Sequence, residues 1–358
     1  MKFFWFFLFT KRTILSNIYK AIPMPLRVFL THSPDMFANF YGDRALAALR
    51  AHADVRLNTT GTVLDTPEAL VRAAGDAQVL VADRATPIAA AVFPAMPHLF
   101  AACRVAVDIS TIDVPAASAA GVLVTRATPG FVTAVTELAL GMLVDLARGV
   151  STAVAAYRAG HAPSLARGRQ LHGAALGIVG FGVIGQRLAD LALAFGMRVI
   201  VADPYQRQPR DGIRHTTLPD LLAEADYVVC LALSTPETAN LFDAAAFAAM
   251  RRGACFINLS RGELVDEAAL AAALDAGQLA GAAMDVGRAP DQRPSPALAG
   301  RTDVIATPHI GGLTREAAEH QAFDTVRQVA DLAAGTLPHG AVNAEAATRW
   351  HLTRQGRA

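Results

Sequence analysis

The sequence predicts an α/β protein built from two doubly wound parallel sheets, and three observations predict it. Short apolar runs alternate with alanine-rich or amphipathic stretches along most of the chain. A glycine-rich strand–turn–helix unit lies at its middle, over residues 176–203. The length, 358 residues, is enough for about two domains, each with its own core.

Composition narrows the function classes. Lys plus Arg (32) nearly equals Asp plus Glu (31), so there is no basic field for nucleic acid or an acidic membrane. Apolar residues at 53% and charged residues at 18% are those of a chain that buries a core. Cys103, Cys230 and Cys255 lie far apart in apolar runs, which predicts buried thiols of the reducing cytoplasm and neither a disulfide framework nor a zinc site. The N-terminal run MKFFWFFLFTKR is too short to span a bilayer and lacks a small-residue cleavage site. Since Met24 leads directly into the first strand, residues 1–23 are expected to be disordered or absent from the native protein.

The elements follow in order. LRVFL from Leu26, VRLN from Val55, QVLVA from Gln78, RVAV from Arg104 and VLVT from Val122 are expected strands. Helices are expected near Arg44–Ala51, at Pro67–Ala74 and near Ile88. Pro129-Gly130 interrupts the pattern, and Phe131–Arg158 then reads as one long helix with little polar surface. Such a helix must be covered on several sides, so a homodimer is expected.

Leu176 to Val179 is a short apolar strand, Gly180-Phe181-Gly182-Val183-Ile184-Gly185 matches G-x-G-x-x-G, and Gln186 to Phe195 is helical. A second apolar run from Met197 ends on Asp203. In such a unit Gly180 permits the tight turn, Gly182 lets backbone approach a pyrophosphate, and Gly185 lets helix pack on strand. The phosphates would rest on the unpaired N–H groups at the helix start, at Val183 and Ile184. Asp203 stands where a carboxylate accepts the adenine ribose hydroxyls and repels a 2′-phosphate, which predicts NAD.

Strands beginning at Tyr227, Cys255, Gly281 and Asp303 bring this sheet to six. Helices are expected at Leu218–Glu224, Glu237–Met250 and Val265–Ala276. A last helix, Thr314–Gly335, and an extended piece, Pro338–Asn343, are too short for a domain and should return to the first one. Ligands of open α/β sheets bind beyond the carboxyl ends of the strands. Three polar features fall there: Ser260-Arg261-Gly262, Asp285, and Thr307-Pro308-His309-Ile310-Gly311-Gly312. Arg261 offers a planar fork that fits a carboxylate, and an imidazole such as that of His309 is suited to shuttling a proton near neutral pH.

LGIVGFGVIGQRLA, INLSRGELVDEAAL, AGAAMDV and ATPHIGG, with VDISTIDVPAASAAGVLVT and VTELALGMLV upstream, resemble the D-isomer-specific 2-hydroxyacid dehydrogenases over about residues 25 to 346. The resemblance implies a Rossmann coenzyme domain, residues 126–308, inserted into a flavodoxin-like substrate domain made of 24–125 and 309–346, with 347–358 a tail. It implies that Arg261 binds the substrate carboxylate and carbonyl, that His309 is the acid/base, and that Asp285 lies beside the nicotinamide. Thr238 is expected to touch the cofactor as well. The loop Asp83-Arg84-Ala85-Thr86 would clamp the substrate carboxylate through backbone N–H groups, with Arg84 in reach of a second acidic group.

One departure stands out. The family pattern D-V-x-x-x-E-P carries a glutamate that partners the histidine, whereas this chain reads Asp285-Val286-Gly287-Arg288-Ala289-Pro290-Asp291, with Pro290 in the glutamate's place. A locally rearranged loop with Asp291 as the partner of His309 is the expectation, and without any such partner the useful pH range moves down. The chain ends soon after the last helix, which favours a reductase of small 2-oxo acids such as glyoxylate, hydroxypyruvate or pyruvate over a long phosphoglycerate dehydrogenase with a regulatory domain. Two other readings share the fold. One is a NAD-sensing, corepressor-like binding protein, which retention of both Arg261 and His309 disfavours. The other is a formate dehydrogenase-like enzyme, whose Gln–His arrangement is not matched where Pro308 precedes His309.

Overall fold

The computed structural model describes residues 25–355 apart from Ser164, Ala166 and Arg207, and leaves out the side chains of Asp291, Arg354 and Gln355. Residues 1–23, expected to be disordered or absent, lie outside the described part. The described residues divide into two compact units, one made of those up to Pro129 and from Ala318 onward, the other of Gly130–Ala317.

In the first unit β1 (Leu26–Leu30), β2 (Ala53–Leu57), β3 (Val79–Ala82), β4 (Ala101–Arg104) and β5 (Leu123–Arg126) form a parallel sheet in the order β2-β1-β3-β4-β5. Both faces are covered, and the period-2 alternation of a strand decides which residue goes to which face. Leu26, Val28 and Leu30 join one core with Val79, Val81, Cys103 and Leu123, while Phe29, Leu80, Ala102 and Val124 join the other. The expected strand RVAV is displaced: β4 is AACR, and it ends at the residue where RVAV was expected to begin. Ala101 and Cys103 are as buried as any Val, so small side chains there fit under a close covering layer that a hydrophobicity pattern does not reveal.

The C-terminal piece does return to this unit. The helix Arg315–Ala333 supplies Ala322, Val326, Val329 and Leu332 to its core, and Gln328 accepts the Thr125 hydroxyl at 2.7 Å. Ala341 bridges Thr125 in antiparallel sense, and Asn343 Oδ1 accepts the Val124 N–H at 2.8 Å. The expected tail over 347–358 is corrected: Thr348–Gln355 is a helix, Trp350 is buried, and the Arg349 guanidinium donates to the carbonyls of Met96 and Leu99 at 3.0 Å each. Its low mean hydropathy hid it, because its anchoring rests on one Trp and one Arg.

In the second unit β6 (Ala175–Val179), β7 (Arg198–Ala202), β8 (Ile213–His215), β9 (Tyr227–Cys230), β10 (Ala254–Asn258), β11 (Leu279–Met284) and β12 (Val304–Ala306) run in the order β12-β11-β10-β9-β6-β7-β8, all parallel. Among the described residues the sheet therefore has seven strands, not six. β8 is three residues on the edge beyond Asp203, too short and too polar to read as a strand until β7 pairs with it. Each face again carries an apolar core, one around Phe242, Phe247 and Phe256, the other around Leu176, Ile178, Val229 and Ile257. The predicted helix over Glu237–Met250 is replaced by a single turn at Pro236–Thr238 and a short helix at Ala244–Ala249, whose N-cap is Asp243 accepting the Ala246 N–H at 2.9 Å.

The helix read as continuous from Phe131 to Arg158 is broken. Val132–Arg148 ends at Gly149, whose φ of 66° terminates it, and Val150–Arg158 leaves at 71°. Among the described residues no single helix is long and apolar enough to cross a membrane. The three cysteines are buried and free, and burial pushes the thiols of Cys103 and Cys230 up to about 12 and that of Cys255 to about 11, so all three are poor nucleophiles.

A polar group is buried beyond the carboxyl ends of β1, β3 and β4. The Asp83 carboxylate accepts the hydroxyls of Thr31 (2.6 Å) and Thr86 (2.9 Å) and the N–H groups of Ala85 (2.7 Å) and Thr86 (2.9 Å). His32 beside it has no hydrogen-bond partner among the described residues, and its burial pushes the imidazole down from the usual 6.5 to about 4, with Asp83 opposing and Arg104 assisting. The unfolded chain binds this proton near pH 6.5 and the folded chain only near 4, so stability is complete above about pH 6.5 and falls as the pH drops towards 4. Between pH 7 and 4.5 the His32 contribution to this loss should be roughly 2–3 kcal/mol. His32→Gln should remove that part, seen as a smaller shift of the urea midpoint between the two pH values; equal shifts in both proteins would exclude His32.

Candidate active site

The glycine turn is built as a cofactor cradle requires. Gly180 follows β6 with a φ of 95°, and a Cβ there would lie 2.6 Å from the backbone of Leu231 and Ala232, so only glycine lets the turn pass the end of β9. A Cβ on Gly185 would lie 2.4 Å from the Gly180 carbonyl oxygen, which fixes how closely the helix Val183–Ala194 sits on the turn. Gly182 caps that helix, and a Cβ there would meet nothing within 4 Å. The space above Gly182 is what a side chain would fill and a pyrophosphate can enter, against the helix-start N–H groups of Val183 and Ile184.

Asp203 ends β7 and reaches back to this turn. Its Oδ2 accepts the Phe181 N–H at 2.7 Å, while Oδ1 accepts those of Tyr205 (2.8 Å) and Gln206 (3.0 Å). The carboxylate is half-buried and keeps acceptor capacity on Oδ2, so it can also take a ribose hydroxyl. Besides the sequence-predicted role it therefore shapes the glycine turn. Thr238 closes the turn after β9: its hydroxyl donates to the Leu233 carbonyl at 2.7 Å and accepts the Thr235 N–H at 2.8 Å. The residues present fit a dinucleotide.

At the other half of the sheet β10, β11 and β12 are adjacent, so the loops after them share one edge. Arg261 is extended and exposed, with its guanidinium resting on the Ser260 carbonyl at 2.8 Å. The buried Asn258 at the end of β10 shapes this turn, its Oδ1 accepting the Ser260 N–H at 3.0 Å and its Nδ2 donating to the Arg261 carbonyl at 2.9 Å. A Cβ on Gly262 would lie 2.2 Å from the backbone of Gly287, so two loops meet here backbone to backbone. Asn258 was not singled out from sequence. The available signal was an asparagine closing an otherwise apolar strand, a residue type depleted there.

His309 is half-buried and has a φ of 60°, left-handed backbone for a residue with a side chain. Asp285, buried at the end of β11, accepts the Thr307 hydroxyl at 2.6 Å and the N–H groups of Ile310 (2.8 Å) and Gly311 (2.7 Å). These bonds tie residues 307–311 to β11, which corrects the expected domain boundary. The break falls after Ala317 and not before His309, and at the other crossing after Pro129, where the Thr128 N–H and hydroxyl both bind Asp324 at 2.6 Å.

The loop that departs from the family pattern is compact. Gly287 N–H donates to the Gln292 carbonyl (2.9 Å) and Ala289 N–H to that of Arg293 (3.1 Å), while the Arg288 guanidinium donates to the carbonyls of Val265 (2.9 Å) and Glu263 (3.0 Å). Asp291 belongs to its single turn, Pro290–Gln292; the Asp291 side chain, and so its expected pairing with His309, lies outside the described part. In the first unit Arg84 is exposed, 3.3 Å from Gln321 Oε1 and 6.0 Å over the Phe40 ring, and the Ala85 N–H is engaged by Asp83.

Comparison with known proteins agrees with this geometry. Residues 140–311 match the family model of the D-isomer specific 2-hydroxyacid dehydrogenase, NAD binding domain. The chain is 35% identical over 317 residues to the D-3-phosphoglycerate dehydrogenase of Mycobacterium leprae, covering 87% of this chain and 58% of that protein. It spans 52–58% of the length of the mycobacterial relatives it matches. The crystal structure of the TT0316 protein from Thermus thermophilus superposes with a TM-score of 0.77 at 32% identity, over 88% of this chain and all of the other. The crystal structure of a Polaromonas protein assigned to the D-isomer specific 2-hydroxyacid dehydrogenases superposes with a TM-score of 0.79 at 27% identity, covering 89% of this chain and all of that one.

The cradle is an NAD site, and its Asp203 gives a test. Asp203→Ser removes a charge-assisted acceptor worth on the order of 1.5 kcal/mol or more, so NADH should bind at least about tenfold more weakly while NADPH binding improves relative to it. Fluorescence titration checks both, and an unchanged NADH to NADPH ratio would exclude Asp203 from ribose selection.

Proposed function

Since the chain belongs to the D-isomer-specific 2-hydroxyacid dehydrogenase family, we propose that it is an NAD-dependent reductase of small 2-oxo acids, of the glyoxylate, hydroxypyruvate or pyruvate type. The observation that carries the reading is the shared strand edge where Arg261 and His309 stand after β10 and β12 of the NAD-binding sheet. Bound NADH supplies the hydride for C2 of the substrate. Arg261, exposed and with one guanidinium nitrogen on the Ser260 carbonyl, offers the rest of its guanidinium fork to the substrate carboxylate and to the C2 oxygen, where negative charge grows. His309 donates the proton to that oxygen in reduction and takes it back in oxidation.

We also propose a homodimer in the cytoplasm. Val150, Val154 and Tyr157 stand exposed on a helix with no buried residue, which a second copy would cover. The buried thiols suit a reducing compartment.

Purified protein should oxidise NADH with at least one of these 2-oxo acids. His309→Ala should lower kcat about 10²–10⁴-fold while NADH affinity stays unchanged. Full activity of that variant would remove His309 from the mechanism, and no turnover by the wild type despite tight NADH binding would favour a NAD-sensing protein.

A further inference from the structure

We propose that Asp285 is the positioning residue of His309, holding the imidazole-bearing loop in its working conformation; this rests on the reading of His309 as the acid/base. Asp285 is 3% exposed and stands at the end of β11, the strand between the two that carry Arg261 and His309. Its three donors, the Thr307 hydroxyl and the Ile310 and Gly311 N–H groups, flank His309 on both sides. Two successive N–H groups converge on one carboxylate only where the chain bends sharply, and the bend is the left-handed His309 itself, with its own N–H donating to the Thr307 carbonyl at 3.0 Å. Left-handed backbone at a side-chain-bearing residue costs on the order of 1 kcal/mol or more and persists only when its surroundings impose it. Here the buried carboxylate imposes it.

Gly311 belongs to the same device. A Cβ there would stand 2.8 Å from Asp285 Oδ2, so a side chain would push the carboxylate away from the N–H groups it gathers. The device also reaches Arg261. Asp285 N–H donates to the Asn258 carbonyl at 3.1 Å, and the Asn258 side chain holds Ser260 and the Arg261 carbonyl. One chain of hydrogen bonds thus runs from the Arg261 turn through two neighbouring strand ends to the His309 loop. Of the acceptor sites on the carboxylate, Oδ1 has two taken and Oδ2 one, so the group serves the loop first and a cofactor amide only with what remains.

The test separates positioning from cofactor binding. Thr307→Val is nearly isosteric and removes one of the three donors; Asp285→Asn leaves an amide that cannot accept all of them. We expect kcat with the best 2-oxo acid to fall about tenfold in Thr307→Val and about a hundredfold in Asp285→Asn, as for an acid/base displaced by about 1 Å. The KM of the 2-oxo acid in both variants, and the NADH affinity in Thr307→Val, should stay within about twofold of wild type, and the solvent deuterium isotope effect on kcat should rise, because proton transfer is the step impaired. Wild-type kcat in Thr307→Val would overturn the proposal, and so would an unchanged kcat in Asp285→Asn accompanied by weakened NADH binding. If Asp285→Asn does not fold, Thr307→Val decides alone. Full activity in His309→Ala would instead defeat the catalytic reading on which the proposal stands, so the two failures are distinct.

Discussion

The inner strands β3, β4, β6, β9 and β10 are buried on both faces, and that constraint sends polar chemistry to the strand ends. The sheet interiors are mostly apolar: Val28, Val81, Ile178, Val229 and Ile257 are wholly buried, and the exceptions, Arg104 ending β4 and Tyr227 opening β9, hold buried polar atoms with no hydrogen-bond partner among the described residues. Polar groups therefore gather where the backbone leaves the sheet and N–H groups fall free. Asp83 after β3, Asp203 after β7, Asn258 closing β10 and Asp285 after β11 all stand at such exits, and each turns its side chain onto the loop that follows or one beside it. Each of these carboxylates satisfies two or three backbone donors at once, and the Asn258 amide one donor and one carbonyl, which makes the loops rigid without burying an unpaired charge.

Rigid loops are what the chemistry needs. Arg261 and His309 sit on loops, yet neither loop is free: the first is stitched by Asn258 and pressed against Gly287, the second is gathered by Asp285. The side chains proposed to react stay near solvent: Arg261 is exposed, with one guanidinium nitrogen on the Ser260 carbonyl, and His309 is half-buried. Backbone is fixed and side chain is left for substrate, the division expected of a preorganised site.

The segment from Gly287 to Arg293 shows how such a site absorbs a change. Where the family pattern places a glutamate, this chain has Pro290, and the neighbouring Arg288 turns away to bind the carbonyls of Glu263 and Val265. A Cβ on Gly287 would fall 2.5 Å from Pro294, so the tight loop and the glycine go together. With Arg288 committed to Glu263 and Val265, the loop also braces the turn that follows Arg261.

What the sequence determined by itself was whatever neighbouring residues decide. The glycine spacing of Gly180, Gly182 and Gly185, the apolar strand runs from Leu26 and Leu176, and the helices Pro67–Ala74 and Leu218–Glu224 are local patterns, and they stood in the structure as read. Arg261, Asp285 and His309 were legible for the same reason, each following a recognisable strand. Tertiary structure alone decided the rest. β8 exists because β7 lends it partners, the helix Thr348–Gln355 because Arg349 and Trp350 find the first unit, and the assignment of His309 to the NAD-binding unit because Asp285, 24 residues earlier, draws its loop in. Hydrogen bonds between residues distant along the chain leave no periodic trace, so the side chains that hold the site had to be seen in place.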